Sequence, residues 1–341
     1  MENLSLHEII SELMDQCLAQ SRHHRQCDAI TDQEFLVQGI ARTISPCTIG
    51  REFLQALREV EGREIHRATY FGALHSGRRR DMASEVETVL RRLLLFRMAA
   101  EKAIDHLGRF EELNGFDIWA FDGHFLKHPC HAERKKNGHY APVGGIYAFD
   151  LRTGMAERVV TTDFDTNKVN ELRAFKETFS TKTAKGMKKT IVVADKAYID
   201  TQYWEQCKAM KHNGMYVITL MKENMKPEHE EDEDFDKGNP MNCGVKSVSR
   251  VTFKSGGIFR KIVFIDPETL SEYTYLTTVE NVQPGLIAFL YLWRWKIEKL
   301  FDVFKNKSFP NDKNTVVAGQ TPLKYSENQP LQPLVGIKSK K

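Results

Sequence analysis

Three acidic residues in separate parts of the chain have the type and surroundings of ligands for a divalent cation. Asp122 lies in an aromatic and branched stretch that predicts a strand, Asp195 follows the apolar residues 191–194, and Glu298 lies in an amphipathic helix. Each of them alone is more typical of a helix cap or a salt bridge. Carboxylates from three elements are, however, what two hard cations about 3.5 to 4 Å apart require. The set predicts a magnesium site in which manganese substitutes.

The helix around Glu298 has a polar stripe beside an apolar face. At about 100° per residue, the members of the stripe fall within about 60° of one another; they are Tyr291, Arg294, Glu298 and Lys305. The stripe therefore borders a buried surface, where charged side chains are unusual unless they are paired or functional. An ordinary salt-bridged helix, with Arg294 and Glu298 four residues apart, explains this helix equally well by itself.

The same residues resemble the insertion-sequence-four family of bacterial transposases, which are DDE enzymes. Residues 291–305 (YLWRWKIEKLFDVFK) have its Tyr-Arg-Glu-Lys signature with every spacing intact. Residues 121–123 (FDG) and 194–198 (ADKAY) resemble the motifs of its first and second aspartate. The resemblance extends from about residue 116 to residue 305. It implies a ribonuclease-H-like fold with a β-rich insertion between the second aspartate and the glutamate.

The resemblance also implies roles for the individual residues. Asp122 is expected to bridge two magnesium ions, and Asp195 and Glu298 each to complete one of them. By the same analogy the phosphates of the transposon end are bound by Tyr291, Arg294 and Lys305. For Trp295 two roles stay open, namely stacking on a displaced base and ordinary core packing.

The implied function is a DNA transposase that cuts and joins transposon ends by two-metal phosphodiester hydrolysis and strand transfer. Its expected partners are double-stranded DNA at terminal inverted repeats and target DNA, and the two element ends imply a homodimer on DNA. A truncated remnant that binds the ends without cutting them is the alternative, because residues 308–341 show little helical periodicity. A general nuclease would keep the three carboxylates but have no preference for inverted repeats.

The hydrophobic patterns predict an α/β fold, a mixed sheet flanked by helices, divided into five segments. Apolar residues three and four apart predict a helical domain that binds DNA ends over residues 1–113. Residues 114–220 predict an antiparallel meander followed by parallel crossovers, and residues 221–283 a β-rich insertion. One catalytic helix, from about Leu286 to Lys305, is predicted for residues 284–307. Residues 308–341 predict an irregular basic tail.

Charge and composition add three expectations. The formal net charge of +3 is too small to indicate nucleic-acid binding by itself, so the position of the charges decides. The triplet Arg78, Arg79 and Arg80 fits two interpretations equally, contact with DNA phosphates or a solvated cluster. The acidic block of residues 228–236 is more typical of a solvated loop than of a partner contact. With no apolar run of bilayer length and no start typical of a signal peptide, the expected location is the bacterial cytosol or nucleoid.

Overall fold

The chain folds into two compact units in the computed structural model. The helices before residue 101 form one unit, and the described residues between 105 and 299 belong to the other. The structure describes residues 6–26, 29–44, 50–62, 64–100, 105–126, 143–161, 171–183, 189–209, 214–254 and 256–302. In these parts of the chain, no helix is long and apolar enough to cross a membrane.

The N-terminal unit is helical in its described residues, as its periodicity predicts. Its helices are α1 (Leu6–Leu18), α2 (Asp32–Ile44), α3 (Gly50–Glu61), α4 (Arg67–Leu74) and α5 (Gly77–Ala100). Met82, Val86 and Val89 recur at helical spacing on α5, and they share a core with Leu36 and Ile40 of α2. Helices α3 and α4 contribute to a second, smaller core.

Two members of the arginine triplet at the start of α5 are held by another helix, which corrects the interpretation of the triplet as a solvated cluster. Arg78 donates two hydrogen bonds to the buried carboxylate of Asp32, at 2.7 and 2.8 Å. Arg79 Nε donates to the same carboxylate at 3.3 Å, and its side chain is 8% exposed. Only Arg80 of the three remains exposed, where it pairs with Asp81. Arg78 and Arg79 are therefore not solvated, and contact of the triplet with DNA phosphates stays a prediction.

The second unit is built on one mixed sheet. Its first strands are β1 (Phe116–Leu126), β2 (Val143–Asp150), β3 (Ala156–Thr161), β4 (Lys189–Ala194) and β5 (Met215–Leu220). Strands β1 to β3 form the predicted antiparallel meander, and β4 and β5 continue the sheet in parallel with β1. Apart from its first residue, β4 is buried on both faces, as a continuous apolar run predicts. This sheet with flanking helices confirms the predicted fold class and is in line with a ribonuclease-H-like fold.

The β-rich insertion extends the same sheet. Its strands are β6 (His229–Asp232), β7 (Val245–Thr252), β8 (Ile258–Ile265) and β9 (Glu272–Thr277). Strand β9 pairs antiparallel with β5, so that in the described residues nine strands follow the order β3-β2-β1-β4-β5-β9-β8-β7-β6. The prediction of a loop for the acidic block was wrong over β6. There Glu230 accepts hydrogen bonds from Ser249 and Lys261, which stabilise an acidic edge strand.

Helices cover both faces of the sheet. Helices α6 (Glu171–Thr183) and α7 (Thr201–Lys208) pack on the face to which Phe121 points, where Phe175 and Trp204 join its core cluster. Helix α8 (Pro284–Trp293) packs against β4, β5, β7 and β8. In β9, Leu276 points to the same face as Phe121. The preceding residue, Tyr275, contacts Tyr291 of α8. Because strand side chains alternate, α8 lies on the opposite face.

The prediction of one uninterrupted catalytic helix was wrong. The chain forms α8 and then α9 (Trp295–Asp302), with Arg294 between them. The backbone amide of Arg294 donates to both Leu290 and Tyr291, and Ile297 donates back to Arg294, so the turn here is tighter than in an α-helix. Lys305 and the predicted tail lie outside the described residues.

Candidate active site

Strand register brings two of the predicted carboxylates side by side. The last pair of the parallel ladder between β1 and β4 joins Phe121 to Ala194, and the next residues are Asp122 and Asp195. Neighbouring strands lie about 4.8 Å apart, and paired residues of a parallel ladder point to the same face. Since Phe121 points toward α6 and α7, Asp122 points toward the face that α8 covers. The aspartates thus meet at the carboxyl end of β4.

Arg294 connects Asp122 to the third carboxylate. One terminal nitrogen of its guanidinium donates to Asp122 Oδ2 at 3.3 Å, and the other donates to Glu298 Oε1 at 2.7 Å. The Arg294 side chain is 6% exposed, and its guanidinium carbon lies 5.3 Å from the centroid of the Tyr291 ring. The tight turn between α8 and α9 therefore places a buried cation between two acidic side chains.

One cavity of about 290 Å³ collects most of the residues that the sequence singled out. Its lining includes Asp122, Asp195, Glu298, Tyr291, Arg294 and Trp295. The further lining residues are Lys196, Leu220, Tyr273 and Leu292. Arg78, Arg79 and Arg80 belong to the helical unit and do not line this cavity.

Two polar lining residues were missed by the sequence analysis. Lys196 immediately follows Asp195 within the quoted motif, so its position next to a candidate ligand was a usable signal. Tyr273 comes from β9 of the insertion, and its contribution depends on β9 pairing with β5. The hydrophobic alternation that predicts a strand does not specify its partner, and so it gave no signal for Tyr273.

The cavity disfavours negative charge on its buried members. Burial raises the pKa of Asp122 to about 6, and the charges of Glu298 and Asp195 add to the rise, although Arg294 and the amide of Gly123 oppose it. Burial also raises the pKa of Tyr291 to about 12. Burial by itself lowers the pKa of Arg294, but Tyr291, Asp122 and Glu298 together raise it above its usual value. A cation that entered the cavity would stabilise the carboxylate form of Asp122.

The three carboxylates that line the cavity are suitable ligands for a divalent metal ion, but in the structure they do not converge on one point. Carboxylate oxygens are the hard ligands that magnesium and manganese prefer. Among the residues that the structure describes, no three acidic, histidine or cysteine side chains lie close enough together to hold a metal ion. The guanidinium of Arg294 lies between Asp122 and Glu298 instead. Asp122, Asp195 and Glu298 are the residues that could act as ligands once this contact opens.

Comparisons with known proteins place this geometry in a family. No curated protein matches the chain. A family model described as a transposase DDE domain matches residues 114–316, which is more than half of the chain and includes all three carboxylates. The match thus covers the residues that line the cavity. The chain belongs to the family of transposases with a DDE domain.

Proposed function

We propose that this protein is a magnesium-dependent transposase of the insertion-sequence-four type, which cuts and joins the ends of its element. Membership of the DDE family implies metal-dependent nuclease and transferase activity on DNA in general. The finer proposal rests on one observation, a cavity lined both by the three carboxylates and by Tyr291 and Arg294 of the signature. A salt-bridged helix by itself does not explain why Arg294 also contacts Asp122 from a distant strand.

The three carboxylates are proposed as the metal ligands, with Asp122 shared between two ions and Asp195 and Glu298 completing one each. Magnesium held by these carboxylates would supply the positive charge that activates a water for in-line attack on a phosphodiester and stabilises the leaving 3′ oxygen. The chain contributes the positions of the ligands. Strand register puts Asp122 and Asp195 on neighbouring strands, and Glu298 lines the same cavity, where Arg294 holds its carboxylate.

Arg294 is proposed to have two successive roles. In the structure its terminal nitrogens hold Asp122 and Glu298, so it offsets their charge and orients them. Its Nε is buried and has no hydrogen-bond partner among the residues that the structure describes, which is a costly state for a charged donor. A DNA phosphate that reached this nitrogen would satisfy it, and a guanidinium binds phosphate through paired donors. We therefore propose that Arg294 exchanges its contacts with Asp122 and Glu298 for a contact with a DNA phosphate.

Trp295 is proposed to stack on a base of the bound DNA. Its side chain borders the cavity and is 55% exposed, whereas core packing would bury a tryptophan. Its exposure supports the first of its two open roles. An aromatic ring beside a phosphate-binding site provides a stacking surface for a base displaced from the duplex.

The remaining partners are proposals that the family supports only in general terms. We propose that the helical unit binds the terminal inverted repeats and that two copies assemble on DNA, because two ends need two active sites. Arg80 and Lys305 remain proposed DNA contacts, and so do Arg78 and Arg79, which in the structure also hold Asp32. The proposed location is the bacterial cytosol or nucleoid.

Cleavage of two matched duplexes tests the proposed function. One duplex contains the element's own terminal repeat and the other a scrambled repeat, and each is incubated with magnesium, with manganese or with a chelator. The proposal predicts cutting at the repeat boundary in either metal and none with chelator. Specific binding without cutting would instead indicate a remnant that recognises ends, and equal cutting of both duplexes would indicate a general nuclease.

A further inference from the structure

The cavity is lined by a second basic side chain, Lys196, which does not pair with the carboxylates described above. Among the described residues that line it, the basic side chains are Arg294 and Lys196. Arg294 is engaged by Asp122 and Glu298. The Lys196 side chain is exposed and forms no ion pair with any described residue. An ammonium group that lines an acidic cavity without pairing there is available to bind another anion.

The backbone holds Lys196 firmly in this position. Its amide donates to Asp195 Oδ1 at 2.6 Å, and the amide of Tyr198 donates to the carbonyl of Asp195 at 3.0 Å. Tyr198 is 1% exposed, and its ring packs edge-on against Phe121, with centroids 5.4 Å apart. The turn after β4 is therefore anchored in the core, while the side chain of Lys196 extends from it. Its ammonium group can reach a ligand beside Asp195 without any movement of the backbone.

We propose that Lys196 binds a non-bridging oxygen of a phosphate in the DNA strand that is cut, and so holds this strand over Asp195. The inference rests on the proposed function, since it assumes that DNA enters this cavity. Phosphates are repelled by the three carboxylates that line the cavity, and a lysine on the same wall reduces this repulsion. Lysine binds phosphate as a point charge on a flexible chain, which suits a strand that must shift between cutting and joining.

Three variants of exposed lysines test this role. Lys196→Ala removes the charge, Lys196→Arg keeps it, and Lys189→Ala is the matched control, because Lys189 is exposed at the start of β4, whereas Lys196 follows the end of that strand. The affinity of each for the repeat duplex is measured as a function of salt concentration, together with kcat and KM for cleavage. Lys196→Ala should bind about tenfold more weakly. Its slope of log affinity against log salt should fall by about one, the value for one lost phosphate contact.

The outcomes separate this inference from the proposed function on which it rests. Lys196→Arg should keep the wild-type salt slope, and Lys189→Ala should match wild type in affinity, slope and cleavage. A Lys196→Ala variant that binds and cuts like Lys189→Ala overturns the role of Lys196, even if Asp122→Asn abolishes cleavage. If Asp122→Asn cuts like wild type, the proposed active site fails instead, whatever Lys196 does.

Discussion

Replacing Asp32 by asparagine should destabilise the helical unit more than any exposed substitution there. The Asp32 carboxylate is completely buried, and it accepts hydrogen bonds from Arg78 and from the amide of Arg25. Arg79 also donates to it. Asparagine has nearly the same shape but no charge. The substitution therefore removes the buried negative charge that both guanidinium groups contact.

The burial of these partners sets the size of the effect. The side chains of Arg78 and Arg79 are 19% and 8% exposed, so solvent replaces little of the lost interaction. Removing one partner of a buried ion pair typically costs about 3 to 5 kcal/mol. Arg80→Ala is the matched control on the same helix, because Arg80 is 68% exposed. It should change stability by less than about 0.5 kcal/mol.

The same interaction predicts a dependence on pH. Burial by itself raises the pKa of Asp32, but the hydrogen bonds and charges of its partners, led by Arg78, lower it from 3.8 to about 2. Because the pKa is lower in the folded protein, Asp32 stabilises the fold fully above pH about 4. This contribution is lost as the pH falls toward about 2, and it amounts to about 2.5 kcal/mol at about 1.4 kcal/mol per pKa unit. The Asp32→Asn variant should not show this loss of stability between pH about 4 and about 2.

Hydrogen exchange resolved by segment is the appropriate assay, because a chain with two units need not unfold in one step. The protection of amides in α2 and α5 is measured for wild type, Asp32→Asn and Arg80→Ala, at neutral pH and between pH 4 and 2. Protection in Asp32→Asn within about 1 kcal/mol of wild type would refute the reasoning. An identical loss of protection at low pH in both proteins would refute the pKa argument.

The remaining predictions concern the helix that holds the site and the ring beside the cavity. A Cβ at Gly285 would lie 1.8 Å from the carbonyl oxygen of Met241, so Gly285→Ala should lower stability by about 3 kcal/mol or more in urea unfolding. Gly72→Ala is its control, since its Cβ meets nothing within 4 Å, and equal effects of the two would contradict the prediction. Trp295→Ala should weaken DNA binding by about 1 to 3 kcal/mol but leave the melting temperature unchanged; lower melting with unchanged binding would assign Trp295 to packing.

Local patterns predicted those features of the fold that depend on neighbouring residues. Apolar spacing indicated the helices, and a run of branched residues indicated the doubly buried strand β4. The spacing of Asp122, Asp195 and Glu298 within motifs indicated residues that line one cavity. That Asp122 and Asp195 are neighbours follows from a parallel register, which strand patterns alone leave open.

The features that were not predicted depend on contacts between distant segments. Arg78 meets Asp32 across 46 positions of the chain, and only the folded helices show that this pair is buried. Glu230 lies in an edge strand, where Ser249 of β7 and Lys261 of β8 donate hydrogen bonds to its side chain. The tight turn at Arg294 likewise accompanies its contact with Asp122 on another element. Residue types alone do not reveal such pairings.

The central claim, that three carboxylates form one metal-dependent active site, is tested most directly by removing each charge in turn. Cleavage of the terminal-repeat duplex in magnesium is measured for Asp122→Asn, Asp195→Asn and Glu298→Gln, with binding to the same duplex measured in parallel. Glu223→Gln is the control, an exposed carboxylate that follows β5 and does not line the cavity. Each of the three variants should bind the repeat but fail to cut it, while the control cuts normally. Wild-type cleavage by any one of the three would contradict the account.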